Sequence, residues 1–467
     1  MCRYLLVLIL VLPAVHSSHA MAQNSWKDDV VYFIMIDRFA DGDITNNIGI
    51  DPSAPLAFHG GDLSGIAQNL DEVSNLGATA IWITPIVEQV QAINHDGGLF
   101  HGHHGYWAND FYRIDPRFGT EADLKQLVNK ANSLNIKVIL DVVYNHVGYD
   151  SDWAKVHKSW LRSGDSCLGT VETACISGLP DIRTELEEVR QHLFEAHVGL
   201  AERTGLHGFR LDTVKHIPHD FWQAHRLEVR SRLGPQFLLL GEVWDGDKYL
   251  AKQYFKNDEL DAMTDFSLRQ NTLNLLTGVT DAVRFSRYIV NRHKIAYGKL
   301  LSPFLSNHDM PMLLALLRNN KEKLKVAATI LFSVEGLPVV AWGEEVGRKG
   351  GAWPHNRGDM PWGDKMIGPG AGMARDEQLQ NHYRKLISIR KTTSDLTGHE
   401  IEVIFKNKHA FALRRGTQTL VLVNAGKNMQ KFDLEELAKS GWNLRYRSNE
   451  KNSVFGLQPF SANILTL

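Results

Sequence analysis

The chain has 467 residues, of which 43% are hydrophobic and 22% charged, and a formal charge of −2. That length accommodates one barrel-sized domain with one or two smaller ones, and the composition is that of a soluble globular protein with a sizeable core. A near-neutral balance offers nothing to attract nucleic acid or an anionic membrane surface, which sets both aside as partners.

Taken in order, the chain opens with Arg3, an unbroken apolar run from Leu5 to Leu12, and small residues ending in Ala20-Met-Ala22. This is the pattern of a secretory signal, so residues 1–22 are expected to be removed and the mature chain to start at Gln23. The apolar run is far shorter than the ~20 residues a membrane-spanning helix needs. The expectation is therefore an exported protein, extracellular or periplasmic, with no membrane contact after cleavage and a monomeric state. Cys2 leaves with the signal, and Cys167 and Cys175 remain. In an oxidising compartment these two are expected to form one bridge across a short loop, and neither sits in a C-x-x-C motif.

Eight apolar runs of strand length follow: Val30 to Ile36, Ala80 to Ile83, Val138 to Val143, Phe209 to Leu211, Phe237 to Leu240, Ala262 to Phe266, Pro303 to Leu305 and Leu337 to Ala341. Amphipathic helical patterns lie between them, for instance 121–134, 186–203, 323–333 and 377–390. Strand and helix alternating eight times predict an α/β fold, a (β/α)8 TIM barrel, over residues 23–146 and 184–395. Residues 147–183, rich in Gly, Ser and Trp and holding both cysteines, are too long for an ordinary connection and predict a small inserted domain after strand three. From residue 396 short β-type runs separated by turns predict a C-terminal antiparallel β-sandwich domain, 396–467.

Polar residues fall where a barrel places its active site, at the carboxyl ends of the strands. Tyr106 lies beyond strand two, Asn145 and His146 after strand three, Asp212 at the end of strand four, Glu242 at the end of strand five, and His308 and Asp309 after strand seven. Arg210 and Asp212, two apart on a strand, share a face. Alone that pair reads equally as a structural ion pair or as a carboxylate held ionised for chemistry; the other strand ends favour chemistry. Three carboxylates and two histidines at one mouth, with no serine or thiol nucleophile, fit a paired-carboxylate glycosidase mechanism. Glu242, between Leu240 and Val243-Trp244, is the carboxyl better placed to stay protonated.

The chain resembles the α-amylase family of glycoside hydrolases over nearly its whole mature length. Four motifs carry the resemblance: Asp141-Val-Val-Tyr-Asn-His146, Gly208-Phe-Arg-Leu-Asp-Thr-Val-Lys-His216, Gly241-Glu-Val-Trp244 and Phe304-Leu-Ser-Asn-His-Asp309. The resemblance implies that Asp212 is the nucleophile, Glu242 the general acid and base, and Asp309 the third carboxylate. It implies further that Arg210 orients Asp212, that His146 and His308 bind sugar hydroxyls, that Tyr106 stacks on the sugar with His104 beside it, and that Lys215 and His216 line the leaving-group side.

Calcium is the implied cofactor. One site would use Asn145, Asp181 and the backbone carbonyl of His216, and Asn145 and Asp181 could otherwise be turn caps. A second, similar to the N-terminal site of cyclodextrin glucanotransferases, would use Asp41, Asp43, Asn46, Asn47, the Gly60 carbonyl and Asp62; on composition alone such Asp, Gly and Asn clusters are turns. His95, His101, His103 and His104 read as a polar cleft loop rather than a zinc site.

The leading expectation is a secreted α-amylase that hydrolyses internal α-1,4 bonds of starch-like α-glucans with retention. The alternatives are a cyclomaltodextrinase or neopullulanase-like enzyme, or another α-glucosidic hydrolase or transglycosylase, and Asp359-Met-Pro-Trp362 resembles the cyclomaltodextrinase group at that place. A non-catalytic glycan-binding protein on this scaffold would be expected to have lost a carboxylate of the triad, and all three are present.

Overall fold

The computed structural model describes residues 26–95, 98–167, 169–244, 248–434 and 441–467. The expected signal, 1–22, the start at Gln23 and the His95 side chain lie outside the described residues. Eight parallel strands form the central sheet: β1 (Val31–Ile34), β2 (Ala80–Ile83), β3 (Lys137–Val142), β4 (Gly208–Leu211), β5 (Leu238–Gly241), β6 (Ala262–Asp265), β7 (Leu300–Pro303) and β8 (Val339–Ala341). They pair in the order β7-β6-β5-β4-β3-β2-β1-β8, and a parallel bridge between Phe304 and Val339 closes the ring. All carboxyl ends therefore face one side.

Helices follow from local signals. α1 (Glu121–Ser133) opens on a capping box in which Thr120 and Asp123 satisfy each other's backbone N–H groups. α2 (Glu187–Thr204) ends on Gly205 in the left-handed region, φ 73°. α3 (Lys321–Ser333) and α4 (Glu377–Thr392) occupy the remaining expected windows to within two residues. The clearest difference is β7, which starts three residues before the Pro303 to Leu305 run and overlaps it only at Pro303. Ser302 breaks the apolar pattern there, yet its buried hydroxyl donates to the Leu337 carbonyl at 2.7 Å, so a polar residue sits inside the barrel at no unpaired cost.

Two excursions rise over the carboxyl-end face. After β2 the chain forms a twisted ladder between Val87–Gln89 and Ala108–Ile114, with a short hairpin, Ile93–His95 against Gly98–Phe100, at its tip. After β3 it forms the inserted segment, a short helix (Asp152–Val156) and a two-residue pairing of Leu161–Arg162 with Asp181–Ile182. Cys167 and Cys175 are disulfide-bonded within it, Cα atoms 5.2 Å apart.

The C-terminal unit is a five-stranded antiparallel sheet, β9 (Ile401–Lys406), β10 (Ala410–Arg415), β11 (Thr419–Asn424), β12 (Asn443–Arg447) and β13 (Ser461–Thr466), paired in the order β9-β10-β11-β13-β12. Alternation sends Phe411, Leu413, Val421 and Val423 into the barrel's core and Ala410, Ala412, Leu420 and Leu422 into a second small core. Gln430–Lys431 and Gly456–Leu457 form a two-stranded ribbon, and Phe432 and Leu457 cover that second core. The second layer of the expected sandwich is thus a ribbon rather than a full sheet.

Candidate active site

Strand β4 carries Arg210 into the barrel mouth, where it is 1% exposed. Its Nη1 donates to Asp212 Oδ1 at 2.6 Å and to Asp141 Oδ1 at 2.9 Å, while its Nη2 meets Glu242 Oε1 at 2.8 Å. One guanidinium thus sets the positions of three carboxyl groups from three neighbouring strands. Asp141, at the end of β3, also accepts from Trp82 Nε1 at 3.0 Å and the Tyr106 hydroxyl at 2.7 Å.

Just beyond Asp212 the backbone turns sharply. Thr213 has φ 48°, a costly conformation for a β-branched residue, and its N–H donates to Glu242 Oε2 at 3.2 Å. Strain of this kind persists where surrounding structure enforces it, and here it fixes the second oxygen of Glu242. Burial lifts Glu242 to about 8, with Asp212 and Asp309 adding repulsion and Arg210 opposing. Burial likewise lifts Asp141 to about 7 against the pull of Arg210. Asp309 moves the other way. Burial alone would raise it, but the neighbouring Arg357 and Arg210 hold its carboxyl below the usual range, and its side chain is 25% exposed against 7% for Glu242. His308 itself is lowered to about 3 by burial, so at neutral pH it is uncharged, and Arg357, 3.3 Å from Asp309 Oδ1, supplies the fixed charge.

The remaining expected residues gather around these groups. Tyr106 stacks parallel to His308, ring centroids 5.1 Å apart and planes 6° apart, and His104 stacks on Tyr106 at 5.7 Å. His146 Nε2 lies 3.2 Å from the Tyr106 carbonyl. Burial depresses the pKa of His104 and His146, leaving them neutral partners for hydroxyl groups. Lys215 Nζ donates to the Trp244 carbonyl at 2.6 Å, and the His216 ring meets the Val171 carbonyl. The expected catalytic and substrate-binding residues, all but Arg210, line a cleft of about 900 Å³, with His101 and His103 on its wall. Asp141, Arg357, Trp244, Phe100 and Trp353 were not singled out as site residues. Asp141 and Trp244 stand inside quoted motifs, whereas Arg357, Phe100 and Trp353 carry no local signal, because only the fold brings their loops to the mouth.

Oxygen atoms suited to a hard cation lie at both expected calcium positions. Asn145 Oδ1 and Asp181 Oδ1 are buried without a hydrogen bond, and an Ile182 N–H bond to the Asn145 carbonyl holds the two segments together. Burial raises Asp181 to about 7 despite Arg162 at 2.8 Å. At the N-terminal position Asp41, Asn46 and Asn47 each bury a side-chain oxygen without a donor, and Gly60, φ 99°, places its backbone where a Cβ would lie 2.7 Å from Asn47 Oδ1. Asp62 is committed to backbone N–H groups of Gly42, Asp43 and Gly65, and the Asp43 carboxylate is exposed and caps Thr45. Among the described residues no three of His, Cys, Asp and Glu converge on a metal position. Amide and carboxylate oxygens without donors fit calcium, which takes such ligands readily.

The α-amylase catalytic-domain family model matches residues 33–165 and 173–366, well over half of the chain. The chain belongs to the α-amylase family. A crystal structure of an Anoxybacillus α-amylase shares 30% identity and superposes with a TM-score of 0.81, covering 95% of this chain and 99% of that one. A cyclomaltodextrinase of Thermoanaerobacter pseudethanolicus is 28% identical over 94% of this chain and 78% of its own. Neopullulanase 2 of Thermoactinomyces vulgaris is 29% identical over 88% of this chain and 72% of its own. As a member of the α-amylase family the protein is a glycoside hydrolase acting on α-glucans.

Proposed function

We propose that the enzyme hydrolyses α-glucosidic bonds of short and cyclic maltodextrins with retention, in the manner of a cyclomaltodextrinase. The observation that carries the chemistry is the placement of Asp212 and Glu242 on opposite nitrogens of one guanidinium. A shared guanidinium keeps the two carboxyl groups near one another, which supports a retaining pair, for which about 5–5.5 Å is required, over the wider gap of an inverting one. Asp212 attacks the anomeric carbon while Glu242, protonated at neutral pH, gives its proton to the departing glycosidic oxygen. Glu242 then takes a proton from water as water displaces the carboxylate of Asp212 from that carbon, which restores both groups. Asp309, held ionised by Arg357, accepts hydrogen bonds from sugar hydroxyls, and neutral His146 and His308 complete their pairing.

The curated relatives support the choice of substrate. Cyclomaltodextrinases and a neopullulanase stand among those most similar, and they favour this reading over the internal attack on starch expected from the sequence. The Anoxybacillus likeness favours an α-amylase as the other outcome. Calcium, in this proposal, is held by Asn145 and Asp181 on one side and by Asp41, Asn46 and Asn47 on the other, and supplies fixed charge that ties loops to the barrel. Starch, pullulan and β-cyclodextrin offered side by side test the substrate reading: faster opening of cyclodextrin than of starch is expected. Mixed maltooligosaccharides from starch with cyclodextrin untouched would return the enzyme to the endo-acting class.

A further inference from the structure

Two half-exposed tryptophans stand at the cleft, Trp244 at 46% and Trp353 at 48% exposure, and each lies flat on a phenylalanine. Trp244 stacks on Phe266 with centroids 5.1 Å apart and planes at 13°, on the side of Glu242 and Lys215. Trp353 stacks on Phe100 at 5.5 Å and 17°, and nothing in the chemistry above employs that pair. Phe100 ends the hairpin above β2, while Trp353 belongs to the segment after β8, so the pair spans the rim above β1, the strand between them.

Both halves are tied to the catalytic groups. The residue after Phe100, His101, donates its N–H to the Leu56 carbonyl at 3.1 Å, which anchors the base of the hairpin to the loop after β1. Along the same stretch His103 and His104 lie in ring contact at 5.2 Å, and His104 stacks on Tyr106. Trp353 stands four residues before Arg357, which bonds Asp309, and between them Asn356 Nδ2 donates to the His308 carbonyl at 2.7 Å. The pair thus continues from the Tyr106, His308 and Asp309 side of the nucleophile, away from Glu242. Under the mechanism proposed above the leaving group departs on the Glu242 side, so Phe100 and Trp353 lie on the glycone side, beyond the ring that is cleaved.

We infer that Trp353, backed by Phe100, is a stacking platform for a glucosyl unit on the glycone side, and that it sets the enzyme's preference for chain length. A pyranose ring presents an apolar face of C–H groups, and a wide indole held flat and half open to the cleft is the surface that such a face covers. Phe100 keeps the indole plane fixed, so less freedom is lost when sugar binds. This inference rests on the proposed hydrolysis for its glycone assignment, while the contact itself is one of binding.

The test compares a long substrate with one that ends at the cleaved ring. For each variant kcat/KM on maltohexaose is divided by kcat/KM on 4-nitrophenyl α-glucoside, which removes any loss common to both. Trp353→Ala is expected to lower that ratio ~tenfold, equivalent to one stacking contact. Trp353→Phe, which keeps a flat ring, is expected to retain most of it, and Phe100→Ala to lower it partway. An unchanged ratio in Trp353→Ala, or a loss in Trp353→Phe equal to that in Trp353→Ala, would overturn the inference. Calorimetric titration of maltohexaose into Glu242→Gln, with and without Trp353→Ala, decides the contact independently of turnover. The Kd is expected to rise ~tenfold with the second change, and equal affinity counts against the platform even if the hydrolytic reading stands. Failure of the wild-type enzyme on every α-glucan would instead sink the hydrolytic reading and leave the titration to judge the platform.

Discussion

Arg210 brings one positive charge to three buried carboxyl groups, Asp141, Asp212 and Glu242, and that imbalance decides their protonation. A buried cluster cannot hold three anions against one cation without a proton, and Glu242, buried and facing two other carboxylates, is where the proton stays. The sign follows directly. A general acid works only while protonated, so a group lifted to about 8 serves at neutral pH and fails as pH rises through that value. The profile of kcat/KM is therefore expected to fall on an alkaline limb near pH 8. Glu242→Gln should cost roughly 10²–10⁴-fold in kcat on a poor leaving group such as glucose, and should abolish that limb. A Gln variant that kept the alkaline limb would place the acid elsewhere.

At the scale of elements, the barrel strands and their terminal carboxylates were legible because parallel strands buried on both faces are continuous apolar runs, and the proposed catalytic groups sit at their ends. Asp212 and Glu242 follow Leu211 and Gly241 directly, so the run itself points to them. Arg357 and Trp353 were not legible, since they lie in an irregular segment beyond β8 whose approach to Asp309 and Phe100 depends on tertiary contacts such as the Asn356 bond to His308. The loops carrying Asp41, Asn46 and Asn47 are an intermediate case, because their composition is that of any turn, and only buried oxygens without donors mark them out. If calcium is held there and at Asn145 and Asp181, chelation from metal-free buffer should lower the unfolding temperature, and added calcium should restore it by mass action. Asp41→Ala should reduce the size of that calcium response. An unfolding temperature indifferent to chelator would remove both sites from the proposal.

For the molecule as a whole, the C-terminal sheet is an integral wall of the barrel's hydrophobic core. Phe411, Leu413, Val421, Val423 and Ile464 belong to the same continuous core as the eight strands, and Phe411 meets Phe285 with ring centroids 5.5 Å apart. The junction is polar as well as apolar. Buried Arg415 on β10 lies 3.7 Å from Glu335 Oε2, which precedes β8, and donates to the Gly398 carbonyl. Removing the sheet would expose this apolar face to water and take Arg415 away from Glu335. The barrel and the sheet are therefore expected to unfold together. Phe411→Ala should destabilise the protein by about 3–5 kcal/mol, as truncation of a fully buried aromatic does, and calorimetry should show the single transition moving as one. Two separate transitions, with only the smaller one shifted, would mean that the sheet folds independently and that the shared core contributes little to holding the barrel.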